Sequence, residues 1–285
     1  MTSARALLAD ATARLAAAGV PSAPVDAELL LAHVLGVGRA CLAVVADVDA
    51  SAADAYAALV RRRVRREPLQ HVVGTAPFRY LELAVGPGVF IPRPETELLI
   101  DAVLPDLSAA ACPVVVDLCA GSGALALSVV VEAPHARAYA VEYSAEALAW
   151  LRRNAGASAV IVIDGDVTDP DLLRTLRTTV DVVVSNPPYV ATTTVVEPEV
   201  RADPPEAVFA GTDGLALVAA VIARAGELLR PGGLFALEHD DSQASALARL
   251  LDADGRWTQI EDHADLSGRS RYSTARRVAA PLTAG

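Results

Sequence analysis

The sequence contains no lysine. All 24 of its basic residues are arginine, and 35 aspartates and glutamates leave a formal net charge of −11 over 285 residues. So acidic a chain lacks the basic footprint by which proteins hold polyphosphate backbones, which disfavours a stable nucleic-acid partner. Cysteine is scarce. Cys41, Cys112 and Cys119 form an odd, scattered set with no Cys-x-x-Cys and no nearby His pair, which argues against a disulfide framework and against a bound metal. No apolar run reaches the ~20 residues that span a bilayer. The N-terminal stretch carries acids at helical spacing and does not read as a signal peptide. A cytoplasmic, soluble protein is expected, monomeric and with no membrane partner. Aromatics supply only 4% of residues, so the 53% hydrophobic fraction is mostly Ala, Val and Leu, enough to fill a substantial core and to exclude general disorder.

From Ser3 to about Glu67 apolar residues recur at helical spacing, with Leu7, Ala11 and Leu15 followed by Leu29, Leu30, Val34 and Leu35. Gly19 and Pro21 break the first helix, Gly36 and Gly38 the second. Ser51-Ala-Ala-Asp54 is expected to cap a third, which runs through Tyr56, Leu59 and Val60 into Arg61, Arg62, Arg63, Arg65 and Arg66, cations suited to a helix C-terminus. Residues 1–70 therefore read as a small helical domain. Over residues 71–94 strand-like pieces alternate with Gly74, Pro77, Gly86, Pro87, Gly88, Pro92 and Pro94, the pattern of a connector bearing a β-hairpin. Residues 95–285 alternate strand runs at Val114–Leu118, Ala138–Val141, Val160–Ile163, Val180–Ser185 and Leu234–Glu238 with helical stretches. That is the mark of an α/β fold whose parallel sheet is covered on both faces. Trp257–Glu261 and Arg271–Arg277 are expected to add two strands, the last antiparallel at or near the sheet edge.

The run Val114-Val-Val-Asp117-Leu-Cys119-Ala120-Gly121-Ser122-Gly123 is a buried strand ending in an acid, then a glycine turn and an apolar helix. Such a turn at the carboxyl end of a strand lets backbone approach a ligand, although a purely structural turn has the same pattern. Glu142 closes the next strand at the ~20-residue spacing of an acid that accepts from ribose hydroxyls. A third glycine is missing, because Ala126 stands there, and no second nucleotide-binding half follows. One nucleoside is thus favoured over a dinucleotide. Asp166 follows the third strand run and reads either as an acceptor for an adenine amino group, with Val167 lining the base, or as a turn residue.

Asn186-Pro187-Pro188-Tyr189 after the fourth strand is the most specific feature. Two prolines with fixed φ and no N–H make a stiff turn whose carbonyls are not consumed by a ladder. The Asn186 side-chain oxygen and the Pro187 carbonyl suit the two hydrogens of a planar NH2 group, and Tyr189 supplies a flat wall. As an electrophilic methyl reaches that nitrogen, positive charge grows on it, and fixed acceptors favour the charged transition state over the neutral ground state.

Together these motifs resemble class I S-adenosylmethionine-dependent methyltransferases acting on planar nitrogen, a set that includes adenine-N6 DNA and guanine-N2 RNA enzymes. The connector narrows the choice. Glu67-Pro-Leu-Gln-His71-Val-Val-Gly74 and Gly88-Val-Phe90-Ile-Pro-Arg93-Pro94-Glu95-Thr96-Glu97 resemble the HemK/PrmC family of protein-(glutamine-N5) methyltransferases that modify peptide chain release factors. The likeness continues through Glu197-Pro-Glu199, Ala210-Gly-Thr-Asp213-Gly214, Leu229-Arg-Pro-Gly-Gly233 and Asp265-Leu-Ser-Gly268-Arg269. It implies a Rossmann-like methyltransferase sheet and S-adenosylmethionine as cofactor, leaving as S-adenosylhomocysteine. The implied substrate is the Gly-Gly-Gln glutamine of class I release factors, gripped in part by the helical region. By the same resemblance Asp117 and Cys119 to Gly123 form the cofactor loop, with Glu142 at the ribose and Asp166 and Val167 near the adenine. Asn186, Pro187, Pro188 and Tyr189 hold the glutamine, with Asn186 also near the cofactor, and Phe90, Arg93 and Glu97 border the site. Two positions depart from the family pattern: Cys119-Ala120 stands where Gly-Thr is usual, and Glu142 where Asp is more common.

Three other features have competing readings. The Arg61–Arg66 cluster suggests nucleic acid, yet no aromatic interleaves it, and a solvated helix face or a patch for an acidic partner fits better. Glu238-His239-Asp240-Asp241 has the look of a metal or acid/base group, but at a strand end it reads as a cap for the following helix. Cys119 as a nucleophile lacks a paired base.

Overall fold

The computed structural model describes residues 1–279; residues 280–285, the end of the expected 95–285 region, lie outside them. The chain divides into two compact units, Met1–Thr75 with Val196–Ala202, and Ala76–Val195 with Asp203 onward.

In the first unit β1 (Thr2–Ser3) leads into α1 (Ala4–Ala17) and α2 (Ala23–Leu35), and β2 (Asp47–Val48) pairs antiparallel with β1 ahead of α3 (Ala50–Val64) and α4 (Leu69–Val73). Ala11 and Leu15 of α1, Leu30 and Leu31 of α2, and Tyr56 and Val60 of α3 form the core. The Tyr56 hydroxyl satisfies itself on the Ala27 carbonyl at 3.1 Å. The cap of α3 is Asp49 rather than Ser51: its carboxylate accepts from Ala52 N at 2.8 Å, and Ser51 Oγ donates to the same oxygen. An ionised acceptor in line with the first free N–H groups outcompetes a hydroxyl already inside the helix.

The arginine cluster is mostly consumed inside this unit, which corrects the solvated-face reading. Arg63, buried, contacts Asp26 at 2.7 Å and Glu199 at 2.7 Å. Arg66 grips Glu199 with Nε at 2.7 Å and Nη2 at 2.6 Å, and Arg62 pairs with Glu67. Only Arg61 and Arg65 of the five remain exposed.

In the second unit the hairpin of β3 (Thr75–Phe78) and β4 (Leu81–Ala84) is followed by α5 (Glu97–Ala109). There follow β5 (Val114–Leu118), α6 (Ala124–Glu132), β6 (Arg137–Glu142), α7 (Ala145–Ala155), β7 (Ile161–Asp164) and β8 (Val180–Ser185). The short α8 (Pro205–Val208), α9 (Val218–Leu228), β9 (Leu229–Glu238), α10 (Ala244–Asp254), β10 (Trp257–Ala264) and β11 (Ser270–Arg277) complete it. The seven-stranded sheet has the order β10-β11-β9-β8-β5-β6-β7. Its five strands β5 to β9 run parallel, and β11 is antiparallel to both of its neighbours. The last strand is therefore one place in from the edge, and β10, exposed along much of its length, is the edge itself. Valine-rich β5 and β8 are buried nearly throughout, as strands covered on both faces must be. Among the described residues no helix is long and apolar enough to cross a membrane.

Removing Arg63 leaves Asp26 and Glu199 without their shared guanidinium. Arg63→Ala is expected to cost about 3 kcal/mol, read from urea unfolding of the full chain. Burial would raise the Glu199 carboxyl, but Arg66 and Arg63 hold it down at about 2, below the ordinary 4.5. Its contribution to stability is therefore present above pH 4.5 and is lost as pH falls toward 2.

Candidate active site

The sheet's register aligns the chemistry. Leu118 of β5 stands level with Val141 of β6 and Ser185 of β8, and Ser185 with Leu237 of β9. The next residue on each strand is Cys119, Glu142, Asn186 and Glu238, so these four share one carboxyl edge.

At that edge Asp117 is fully buried. Its Oδ2 accepts from Ala126 N at 3.1 Å, while Oδ1 has no partner. Burial, aided by the charge of Glu142 and opposed by the Ala126 N–H, pushes this carboxyl up to about 8. The turn that follows holds Cys119 at φ +66°, a left-handed conformation that glycine adopts freely, so this departure from the family pattern costs about 1 kcal/mol of backbone strain. Burial also pushes the Cys119 thiol up, away from the thiolate a nucleophile needs. Ala120 N donates to Val141 O at 2.9 Å, Ser122 is buried with its carbonyl on Asn154 Nδ2, and a Cβ on Gly123 would lie 2.6 Å from Leu151 Cδ1. Glycine at 123 is thus favoured both by its left-handed φ of +89° and by the close packing of Leu151 from α7.

Glu142 accepts from Gly121 N at 2.9 Å on Oε2, and from Tyr143 N at 2.9 Å and Ser144 N at 2.8 Å on Oε1. Three of its ~4 acceptor positions are filled, which leaves one on Oε2. Burial raises this carboxyl, against those three N–H groups. Asp166 is exposed and makes an Asx turn, accepting from Thr168 N at 2.8 Å and Thr168 Oγ1 at 2.7 Å through Oδ1 alone. Val167 is buried in the core with Leu118 and Val141.

The Asn-Pro-Pro-Tyr turn is held at three points. Asn186 Nδ2 donates to the buried Thr96 hydroxyl at 3.1 Å, the Tyr189 hydroxyl donates to Glu238 Oε1 at 3.0 Å, and Gln243 Nε2 donates to the Tyr189 carbonyl at 2.9 Å. Pairing of β8 with β5 and β9 stops at Ser185, so the Pro187 carbonyl is outside the ladder. Arg93 stacks over the Phe90 ring at 4.8 Å and pairs with buried Asp203, whose other oxygen accepts from Ile91 N at 3.1 Å. Burial, opposed by Arg93, raises Asp203 to about 6. Glu97 is turned elsewhere, accepting from Arg79 N at the hairpin turn at 3.0 Å.

Sequence reasoning left out Thr96, Asp203, Glu238 and Gln243 as members of this site. The expected cap at Glu238–Asp241 is corrected: α10 starts at Gln243 without a side-chain cap, Asp240 forms a local turn with Ser242, and Glu238 faces Tyr189. An acid closing the otherwise apolar run Leu234–Leu237 was the available signal, the same one that marked Glu142. Among the described residues no group of His, Cys, Asp and Glu could hold a metal ion.

The strand order and the edge of acids, glycine turn and Asn-Pro-Pro-Tyr define a class I methyltransferase. In fold it is similar to the crystal structure of the hMettl16 catalytic domain in complex with MAT2A 3'UTR hairpin 6, with TM-score 0.55 and 15% identity over 71% of this chain and 77% of that one. Residues 6–74 match the PrmC N-terminal domain and residues 87–201 the methyltransferase small domain. The chain is 49% identical to the release factor glutamine methyltransferase of Mycolicibacterium smegmatis over 98% of its own length and 99% of that protein, and 47% identical to the Streptomyces coelicolor protein of the same name over 95% and 97%. It belongs to the release factor glutamine methyltransferase family.

A Cβ at Gly214 would lie 2.0 Å from the Tyr189 carbonyl oxygen, at a φ of +73°. Gly214→Ala is expected to destabilise the fold by about 2 kcal/mol, seen as a lower melting temperature.

Proposed function

We propose that the protein transfers a methyl group from S-adenosylmethionine to the side-chain amide nitrogen of the Gly-Gly-Gln glutamine in class I peptide chain release factors, acting as a cytoplasmic monomer. The observation that carries this reading is the Asn186 amide: with Nδ2 committed to Thr96, Oδ1 is left as an acceptor beside the Pro187 carbonyl. In the proposed division of labour residues 1–70 engage the release factor, 71–94 connect, and the remainder carries out transfer.

The residues present fit the cofactor. The orphaned Oδ1 of Asp117 suits an ammonium, the free acceptor position on Glu142 suits a ribose hydroxyl, and Asp166 Oδ2 remains for an adenine amino group. A Cβ at Gly121 would meet nothing within 4 Å, so the turn faces open space. When bound, S-adenosylmethionine supplies an electrophilic methyl on a sulfonium. Asn186 Oδ1 and Pro187 O take one hydrogen each from the glutamine NH2, fix its plane with Tyr189, and stabilise the charge that develops on nitrogen. They also align the nitrogen for in-line attack. No side chain in the turn is a strong base. Once the N–C bond has formed, one of the two hydrogens that the amide nitrogen already carried leaves to water, since an N-protonated amide is strongly acidic.

Labelled-methyl transfer to a purified class I release factor, beside a Gly-Gly-Ala version and a nucleic-acid control, tests the reading: label on the native factor alone supports it, and label on nucleic acid or on neither overturns it. Asn186→Ala is expected to leave cofactor affinity nearly intact and to lower kcat by ~10²-fold or more. Because burial pushes the Asp117 carboxyl up to about 8, binding an ammonium there at neutral pH should release a proton, and cofactor affinity should rise with pH up to that value. Calorimetry in buffers of different ionisation enthalpy measures the release directly.

A further inference from the structure

Residues 210–214 and 238–241, two stretches that stand out in the sequence, meet at one buried side chain, Gln243, which is 6% exposed. Its Nε2 donates to the Tyr189 carbonyl at 2.9 Å and to the Asp213 carbonyl at 3.1 Å. Its Oε1 accepts from Asp240 N at 3.0 Å, and its own backbone N–H donates to the Asp240 carbonyl at 2.9 Å. A peptide carbonyl can only accept and a peptide N–H only donate, so these partners allow the side-chain amide one orientation. Both of its hydrogens are then used. Through them the Tyr189 carbonyl is tied to the loop ahead of α9 and to the chain leaving β9.

What this clamp holds is the far arm of the Asn-Pro-Pro-Tyr turn. The near arm is fixed at Ser185, which pairs with Leu118 of β5 and Leu237 of β9. Past Ser185 the ladder no longer guides the chain. It is picked up again at Val190, whose N–H donates to Val208 O at 3.0 Å and whose carbonyl accepts from Ala210 N at 2.9 Å. Tyr189 stands between these supports, and the direction of its carbonyl sets the peptide plane beside the ring. Gln243 fixes that plane, and Gly214 leaves room for the contact, since a Cβ there would also lie 2.6 Å from Gln243 Nε2.

We propose that Gln243 is a positioning residue for methyl transfer: by binding the Tyr189 carbonyl it holds the far arm of the turn, and with it the Tyr189 ring and the Pro187 carbonyl, where the substrate amide is received. The consequence for catalysis rests on the glutamine-methylation reading, whereas the clamp itself is a property of the chain. An amide supplies two donors and an acceptor in one plane. A carboxylate of the same shape supplies no donor, and neither does a methionine of similar length. The acids suited to the cofactor, Asp117, Glu142 and Asp166, lie on or after β5, β6 and β7, across β8 from the β9 side where the clamp sits. Loosening the clamp therefore moves the substrate's wall and leaves the cofactor's contacts in place.

Two variants test the clamp. Gln243→Met fills a similar volume without donors, and Gln243→Glu sets a carboxylate against two carbonyl oxygens. Measured well below each variant's melting temperature, at saturating cofactor and release factor, kcat is expected to fall by ~10-fold in Gln243→Met and by ~10²-fold in Gln243→Glu. Cofactor affinity and release-factor KM should stay near wild type in both. A role confined to stability would lower the melting temperature and leave kcat at the wild-type value, and that result overturns the proposal. Cofactor affinity falling in step with kcat overturns it too, because the damage would then reach the whole edge. A further measurement needs no variant to fold: in the wild-type protein both hydrogens of the Gln243 side-chain amide should be protected from solvent exchange in the nitrogen-15 spectrum. Rapid exchange of both removes the clamp. Protected hydrogens in a protein that transfers no methyl group to release factors overturn the substrate reading and leave the clamp standing.

Discussion

A parallel sheet covered by helices on both faces has no place along its strands for an unpaired charge, so polar side chains collect where the strands end. In this protein five strands end together, and their register puts Glu142, Asn186 and Glu238 in line at the carboxyl edge, with Asp117 two rows below. The site follows from that alignment. Each strand contributes one group, and the turn after each decides whether the group faces ligand, neighbour or solvent.

Collecting acids at such an edge costs desolvation, and the structure manages it unequally. Glu142 recovers most of the cost with three backbone N–H groups, whereas Asp117 has one and keeps an oxygen without a partner. Exposed Asp166 recovers it from Thr168 and is held below its ordinary value. The gradient from orphaned to satisfied carboxylate separates the groups with something left to bind from those that mainly hold the loops. Asn186 belongs with the first, because its amide nitrogen is committed to Thr96 while its oxygen is not.

In the helical unit the main polar investment is the cluster of Asp26, Arg63, Arg66 and Glu199. Glu199 reaches it from a segment that follows the Asn-Pro-Pro-Tyr turn by about ten residues, so the segment leaving the turn is anchored within the helical unit. Burial of a charge network of this kind specifies one arrangement more than it adds stability, because removing a member such as Arg63 leaves a buried carboxylate, here Asp26, without its ion-pair partner.

The sequence by itself determined the strands, the helices, the glycine turn, the Asn-Pro-Pro-Tyr turn and the family resemblance. Hydrophobic period, proline φ and glycine placement act over a few residues and can be read in a window of that length. Strand limits moved by a residue or more, as when the run expected at Val160–Ile163 formed at Ile161–Asp164 and the one expected from Leu234 began at Leu229. What only the tertiary structure decided is which polar groups meet. Thr96 and Asn186 are 90 residues apart, Tyr189 and Glu238 49, Arg63 and Glu199 136. No local pattern holds both members of such a pair. The same side chain that reads as a helix cap or a solvated cation in its own neighbourhood acquires another partner when burial removes water as the alternative, and the nearest opposite charge or free hydrogen in space then settles its role.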